Sequence, residues 1–354
     1  MAFKPKALIK LLLHPKSIYG ANYYPELEEK SKLRIFWEQC LNTMKHGSVD
    51  EFYYLYGLNV KNFRRNEDYV VYRPFMRRRN RLNLKFKHNS SAILRNKLYF
   101  GIFAKAFGIE TPENVAVVCN ADVLLLGEGI HTSIEQLVAD NRGTFFCKPI
   151  GGECGVGVFK LEIAESGIKI NDADADMATL KNMLEDGGRF LIQRCIAQHD
   201  AMAQLHPTSI NSLRMVTVRS LKDNEIYVLP SILRIGTNGS VVDNTSQGGV
   251  AVGFDLVTGQ LNEWGLQKPK YGLRIDTHPN SKIKFSEFTI PFVQEAIKQA
   301  KYFHSFLDMH SIGWDIAIGP NGPIFIEGND NWEINGPQSC NRGLAKEFKE
   351  YFYE

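Results

Sequence analysis

The sequence predicts an α/β (α+β) protein preceded by a mostly helical N-terminal region. Three observations predict it. Residues 1 to about 90 are aromatic and basic, with apolar residues at mixed helical spacing. From Asn96 onward, short apolar runs rich in β-branched and aromatic residues alternate with helical stretches. Glycine and other turn residues close many of those runs. The chain has 354 residues, enough for two or three domains at roughly 100–200 residues each. Apolar residues make up 44% and charged residues 23%, which supplies a sizeable core and excludes a disordered, collagen-like or disulfide-stapled chain. Lys plus Arg (42) exceeds Asp plus Glu (39) by too little to signal nucleic-acid binding.

No apolar run approaches the ~20 residues of a bilayer span. The stretch Ala7–Leu13 is broken by Lys10 and is followed by no small-residue cleavage site, so no signal peptide is expected. Cys40, Cys119, Cys147, Cys154, Cys195 and Cys340 are scattered without C-x-x-C pairs. They read as free thiols of a cytoplasmic protein.

In the N-terminal region, Tyr23-Tyr24, Tyr53-Tyr54, Tyr56 and Arg64-Arg65 precede the cluster Arg77-Arg78-Arg79-Asn80-Arg81. Leu33, Phe36-Trp37 and Leu41 carry the helical spacing. The arginine cluster reads as a solvated helix or loop face, with an acidic ligand or anionic lipid as the alternative. Together with Leu8 to Leu13 it would give a weak peripheral contact with a membrane.

Beyond Asn96, Lys97–Phe107 has a one-sided apolar pattern and stops at Gly108. Strands are expected over Val115–Val118, Phe145–Ile150, Val156–Ile163, Phe190–Ile196, Leu213–Arg219, Ile226–Ile235 and Val250–Asp255. Phe292–Leu307 repeats apolar residues as one face of a long helix. Trp314–Ile318 and Ile324–Glu327 flank Gly319-Pro320-Asn321-Gly322, a hairpin signal.

Two constellations carry chemistry. Lys148 ends a strand, and Gly151, Gly152, Gly155 and Gly157 follow before the next strand. Backbone N–H groups of such a loop can converge on phosphate oxygens, and the lysine adds a point charge. It is neither a Walker A loop nor a dinucleotide fingerprint, because the glycines lie between two strands. Alone, a flexible hairpin with an incidental lysine explains it equally. At the C-terminal hairpin, Asp315 lies on one strand, and Glu327 and Asn329 lie two apart on the next, on one face. Three hard oxygen ligands suit Mg²⁺. The alternative is carboxylates paired with arginines.

Lys148 with its glycine loop, Phe190–Ile196, Asn211–Thr217, Gly313-Trp314-Asp315 and Phe325–Asn329 together resemble, in order and spacing, the ATP-grasp superfamily. They are most similar to its sugar-transfer-associated branch, over about residues 85 to 340. The resemblance implies two α/β lobes gripping ATP: residues 91–196 as the N-terminal lobe with the glycine loop and 197–354 as the C-terminal lobe with the metal site, after the N-terminal region 1–90. It implies that Lys97 and Lys148 meet nucleotide phosphates, with Gly151, Gly152, Gly155 and Gly157 as the lid loop. Gln193, Arg194, Cys195 and Ile196 would form the hinge against adenine, although the family often has Glu at the position of Gln193. Asp200, rather than His199, would bind ribose. Arg214, with Lys148, would be catalytic, facing the γ-phosphate and the substrate carboxylate. Arg234 would serve similarly or form a structural salt bridge. Asp315, Glu327 and Asn329 would ligate magnesium. Asn244 and Gly248-Gly249 lie where related ligases shape the acceptor pocket, or are plain turn residues.

The implied activity is ATP- and Mg²⁺-dependent ligation of a carboxylate to an amine through an acyl phosphate, on a sugar acid or glycan precursor. No nucleophilic side chain is needed for it; Cys154 reads as a small lid residue. The alternatives are a kinase acting on a hydroxyl and a nucleotide-binding scaffold of a polysaccharide assembly system.

Overall fold

The structure is a computed structural model that describes residues 5–13, 18–86, 88–120, 122–151, 156–185, 188–240 and 242–354. The N-terminal region supplies helices α1 (Pro5–Leu13), α2 (Lys32–His46) and α3 (Tyr72–Asn83). Next come α4 (Ser91–Arg95), α5 (Lys97–Ala106), strands β1 (Asn114–Cys119), β2 (Asp122–Leu125) and β3 (Ile130–Thr132), and α6 (Ile134–Asp140). They are followed by β4 (Gly143–Pro149), β5 (Phe159–Ala164), β6 (Gly167–Ile170), β7 (Ala173–Ala175), α7 (Met177–Glu185) and β8 (Arg189–Arg194). After α8 (Asp200–Leu205) run β9 (Ser212–Arg219), β10 (Ile226–Ile235), β11 (Val250–Phe254), β12 (Leu261–Leu266) and β13 (Arg274–Ile275). The chain closes with α9 (Val293–Ser305), β14 (Ser311–Gly319), β15 (Gly322–Asn329), α10 (Asn335–Cys340) and α11 (Ala345–Tyr351).

The chain divides into two compact units. The larger comprises residues 1–90, 198–323 and 329–354; the smaller comprises 91–197 and 324–328. Residues 1–90, expected as a region of their own, therefore group with 198–323. The reason is packing: Phe75 and Leu82 of α3 are buried with Val216, Val218, Leu229, Trp332 and Phe352 in one core.

The smaller unit is built on a sheet of order β3-β2-β1-β8-β4-β5-β6-β7. Strand β5 alternates buried and half-buried residues, as a strand with one covered face does. Leu180 and Leu184 of α7 and Ile134 and Leu137 of α6 are buried in one core with Val118, Phe145, Leu161 and Phe190. The Ser133 hydroxyl accepts the Gln136 N–H at 3.2 Å and caps α6.

The larger unit carries the order β13-β12-β11-β10-β9-β14-β15. Every residue of β14 is buried, so its apolar run is that of a strand covered on both faces. Val216 and Val218 lie on the α3 face; by alternation Thr217 lies on the other, towards α9. There the Trp314 indole donates to Thr217 Oγ1 at 2.8 Å. His304 of α9 donates from Nε2 to the Met309 carbonyl at 3.0 Å, which leaves Nδ1 to accept the Thr217 hydroxyl at 2.8 Å. Burial pushes His304 down to about 3, so it stays neutral and serves as a buried connector. No helix among the described residues is long and apolar enough to cross a membrane.

The arginine cluster is divided by the helix it sits on. Arg77 and Arg81 are exposed. Arg79 is fully buried and donates to the Trp332 carbonyl and Asn331 Oδ1. Arg78 donates to the Phe352 carbonyl and lies over the Tyr353 ring. These two arginines tie α3 to the C-terminal segment and present no charge outward. Arg79→Ala should therefore lower the unfolding free energy by about 2–3 kcal/mol, the cost of stranding buried acceptors of a charged donor. Urea midpoints should fall for Arg79→Ala and stay at the wild-type value for Arg81→Ala.

Candidate functional site

The smaller unit gathers two lysines at one strand end. Lys148 pairs with Leu191 across β4 and β8. At the next turn of the chain, Ile150 donates to the Arg189 carbonyl at 3.0 Å and accepts the Lys97 N–H at 3.3 Å. That second bond ties the start of α5 to the end of β4. Asn96 caps the helix by accepting the Tyr99 N–H at 3.0 Å. Gly151 opens the loop in free space, and Gly157 closes it with φ +73°, where a Cβ would press on the Pro149 ring at 3.0 Å. Gly152, Cys154 and Gly155 lie outside the described residues.

Burial lowers the Lys148 ammonium to about 8; Glu327 pulls it upward, Lys97 pushes it further down, and Cys195 pulls it slightly upward. Lys97, Lys148, Cys195 and Glu327 thus belong to one electrostatic neighbourhood within this unit. An amine so placed carries its charge near neutral pH at a desolvation cost, which an incoming phosphate oxygen would relieve.

The expected hinge lies at the end of β8. Gln193 is buried, and its amide donates to Asn114 Oδ1 at 2.8 Å. Gly101 of α5 covers Asn114 so closely that a Cβ there would sit 2.4 Å from Nδ2. The Arg194 N–H donates to the Glu113 carbonyl, and the Cys195 N–H to that of Thr144, both at 2.9 Å. The Arg194 side chain pairs with Glu113 at 2.8 Å, in solvent. Burial raises the Cys195 thiol.

In the larger unit, His199 caps α8 by accepting the Ala201 N–H at 3.1 Å, which is a structural role. Asp200 follows as the exposed first residue of that helix. Register places Arg214 of β9 opposite Asp315 of β14. Arg214 donates from Nε to Asp315 Oδ1 at 2.5 Å and from Nη2 to Oδ2 at 3.0 Å. Arg234 of β10 reaches the same Oδ2 at 3.0 Å. Its guanidinium also donates to Ser212 Oγ at 2.8 Å and lies 3.7 Å from Asp243. Ser212 donates its N–H to Asp243 at 3.0 Å and its hydroxyl to the same oxygen. Burial raises the Asp243 carboxyl, against the pull of Arg234 and Ser212.

Asp315, expected as a metal ligand, accepts two guanidiniums in this structure. A dication on its oxygens would sit against two fixed positive charges. Glu327 and Asn329 occupy alternate positions of β15 and are hard oxygen donors that fit magnesium. No cluster of three or more His, Cys, Asp or Glu able to hold a metal occurs among the described residues. Asn244 and Gly248-Gly249 form a turn: Gly249 donates to the Asn244 carbonyl, and its own Cβ would collide with the Asp243 carbonyl at 2.3 Å. Asp243 and Asn114 belong to these networks, and no spacing or motif in the sequence marks them; Ser212 falls within the Asn211–Thr217 stretch, which assigns it no role.

A lysine and a glycine loop at the end of an antiparallel sheet strand, a second lysine at the start of the helix tied to it, and an arginine-bearing sheet and a carboxylate–amide hairpin following in the chain define an ATP-grasp protein. The chain belongs to the sugar-transfer associated ATP-grasp family, whose profile matches residues 77–351. No curated protein matches the sequence. Among solved structures it is similar to an N5-carboxyaminoimidazole ribonucleotide synthetase in complex with ADP (12% identity, TM-score 0.39, covering 68% of this chain and 45% of that one). It is also similar to the D-alanine–D-alanine ligase of Bacillus anthracis (15%, TM-score 0.35, 68% and 57%). A third is the VanG D-Ala:D-Ser ligase of Enterococcus faecalis (14%, TM-score 0.41, 74% and 60%). The chain spans roughly half the length of these proteins, between 45% and 60%.

Two outcomes follow from the electrostatics. In NMR of the reductively methylated protein, Lys148 should titrate near pH 8, well below an ordinary lysine. Glu327→Gln should move that midpoint down and Lys97→Met should move it up; opposite signs would contradict the assignment. Asp315→Asn should cost about 3 kcal/mol, because it strands two largely buried guanidiniums. Thermal unfolding in EDTA and in Mg²⁺ should report the same loss, since the partners are arginines.

Proposed function

We propose that the protein is an ATP-dependent ligase that joins a carboxylate to an amine through an acyl phosphate. The observation that carries this reading is the Lys97–Lys148 pair beside the glycine loop, in a chain of this family. Lys148 and Lys97 hold phosphate oxygens, and the glycine-rich stretch that follows Lys148 in the sequence adds backbone donors. The backbone of Gln193, Arg194, Cys195 and Ile196 receives adenine, and Asp200 the ribose. Arg214 and Arg234, held by Asp315, orient the acid and neutralise the transferring phosphoryl group.

A carboxylate oxygen of the acid attacks the γ-phosphorus, and the bond to the β-phosphate oxygen breaks, releasing ADP. The amine nitrogen then attacks the acyl carbon, inorganic phosphate leaves, and the nitrogen loses a proton. Glu327 and Asn329 would hold magnesium, which supplies charge neutralisation on the nucleotide phosphates. The chain's own contribution is placement and fixed charge, so no side chain needs to form a covalent bond. The family description supports a sugar acid or glycan precursor as the acid partner.

Hydroxylamine should intercept the acyl phosphate as a hydroxamate when ATP and a suitable uronic or amino acid are present. Lys148→Ala should weaken nucleotide binding by about ten-fold or more, the loss of a charge-assisted phosphate contact, with the fold intact by circular dichroism. Arg214→Ala should depress hydroxamate formation more than nucleotide affinity. A stable phosphate ester and no hydroxamate would establish a kinase; nucleotide binding without turnover over a broad acid and amine panel would establish a scaffold.

A further inference from the structure

Helix α1 carries apolar residues beyond the side that it packs inward. Leu11 is buried in a small core with Ile18 and Cys40, while Ile9, Leu12 and Leu13 are exposed, Leu13 at 70%. Its neighbour α2 continues the surface. Leu33, Trp37, Leu41 and Met44 are all exposed, and their spacing places them within about 80° of arc on one helix face. The far side of α2 buries Ile35, Gln39 and Thr43, so the stripe is a second apolar face and the core face is already occupied. Seven large apolar side chains on two touching helices exceed the scattered exposure of ordinary surfaces.

The charge around this surface selects the occupant. Residues 1–20 contain Lys4, Lys6, Lys10 and Lys16 and no acidic residue. Lys32 and Lys45, both exposed, stand at the two ends of α2. Apolar side chains with an interfacial tryptophan and lysines around them match an anionic bilayer surface. At nine residues, α1 is far too short to span one. We propose that the α1–α2 surface docks this protein in-plane on an anionic lipid bilayer, with Leu12, Leu13 and Trp37 entering the headgroup boundary. Of the α3 arginines, Arg78 and Arg79 are committed to the C-terminal segment and take no part in this contact. This contact stands independently of the ligase reading.

The full-length protein is to be co-sedimented with vesicles of mixed phosphatidylglycerol and phosphatidylcholine, and with phosphatidylcholine alone. Binding to the anionic vesicles is expected, with loss at high salt. Trp37 emission should shift to the blue and be quenched by brominated lipid. Trp314 and Trp332 are buried and Trp264 half-buried, so Trp37→Phe should abolish the signal while leaving sedimentation in place. Leu12→Glu with Leu13→Glu, and separately Trp37→Glu, should each weaken partitioning by about ten-fold or more, with the circular dichroism spectrum unchanged. Lys148→Ala should bind vesicles as wild type does, whatever the fate of the nucleotide site. No binding to anionic vesicles at low salt would overturn the proposal, as would binding indifferent to these substitutions. So would a dimer that Trp37→Glu dissociates in the absence of vesicle binding.

Discussion

The larger unit depends on one carboxylate. Asp315 accepts from Arg214 on the strand beside it and from Arg234 one strand further on. With Asp243 behind Arg234, two guanidiniums are balanced by two carboxylates in a setting where each side chain is no more than 20% exposed. Removing any one member leaves a buried charge without its counterpart, which costs more than the pair contributes. The arrangement also fixes register. A slip of one residue in β14 would turn Asp315 to the opposite face, into the packing of Phe303 and Trp314. Strand pairing and charge pairing therefore enforce each other.

The same logic runs in reverse in the smaller unit. There the cation is the buried member. Lys148 keeps its proton against desolvation with the help of Glu327 and in spite of Lys97. A site that holds an amine near 8 binds oxyanions most strongly below that pH, because above it each binding event must first take up a proton. In the larger unit the positive groups are guanidiniums held in a fork by Asp315.

Much of this was legible in the sequence where a side chain's type and its period coincided. Strand β10 was read to its ends, because Ile226–Ile235 is rich in β-branched and apolar residues and lies between Glu225 and Gly236. The helix of Val293–Ser305 was plain from its spacing. Short edge elements such as β3, β6 and β7 escaped notice, since three or four half-exposed residues leave no period to detect. The glycine loop and Lys148 were visible as types in order. Asp315 was visible as a carboxylate on a buried strand, where metal and arginine were both open as partners. Only the register shows that it stands beside Arg214 and within reach of Arg234. The division of Arg77–Arg81 between solvent and core could not be read either, because a helix distributes five consecutive residues around its whole circumference.

A site built from placed charges, with no nucleophile of its own, leaves a distinctive trace in where oxygen atoms travel. With an acid labelled in its carboxylate by heavy oxygen, together with ATP and an amine, one labelled oxygen should appear in the released inorganic phosphate, because the acyl phosphate breaks at the acyl carbon. Mass spectrometry of the phosphate reads this directly. Label in the phosphate, dependent on Lys148 and Arg214, is the expected result. Unlabelled phosphate alongside amide formation, or turnover that leaves the phosphoryl group on a hydroxyl, would contradict it.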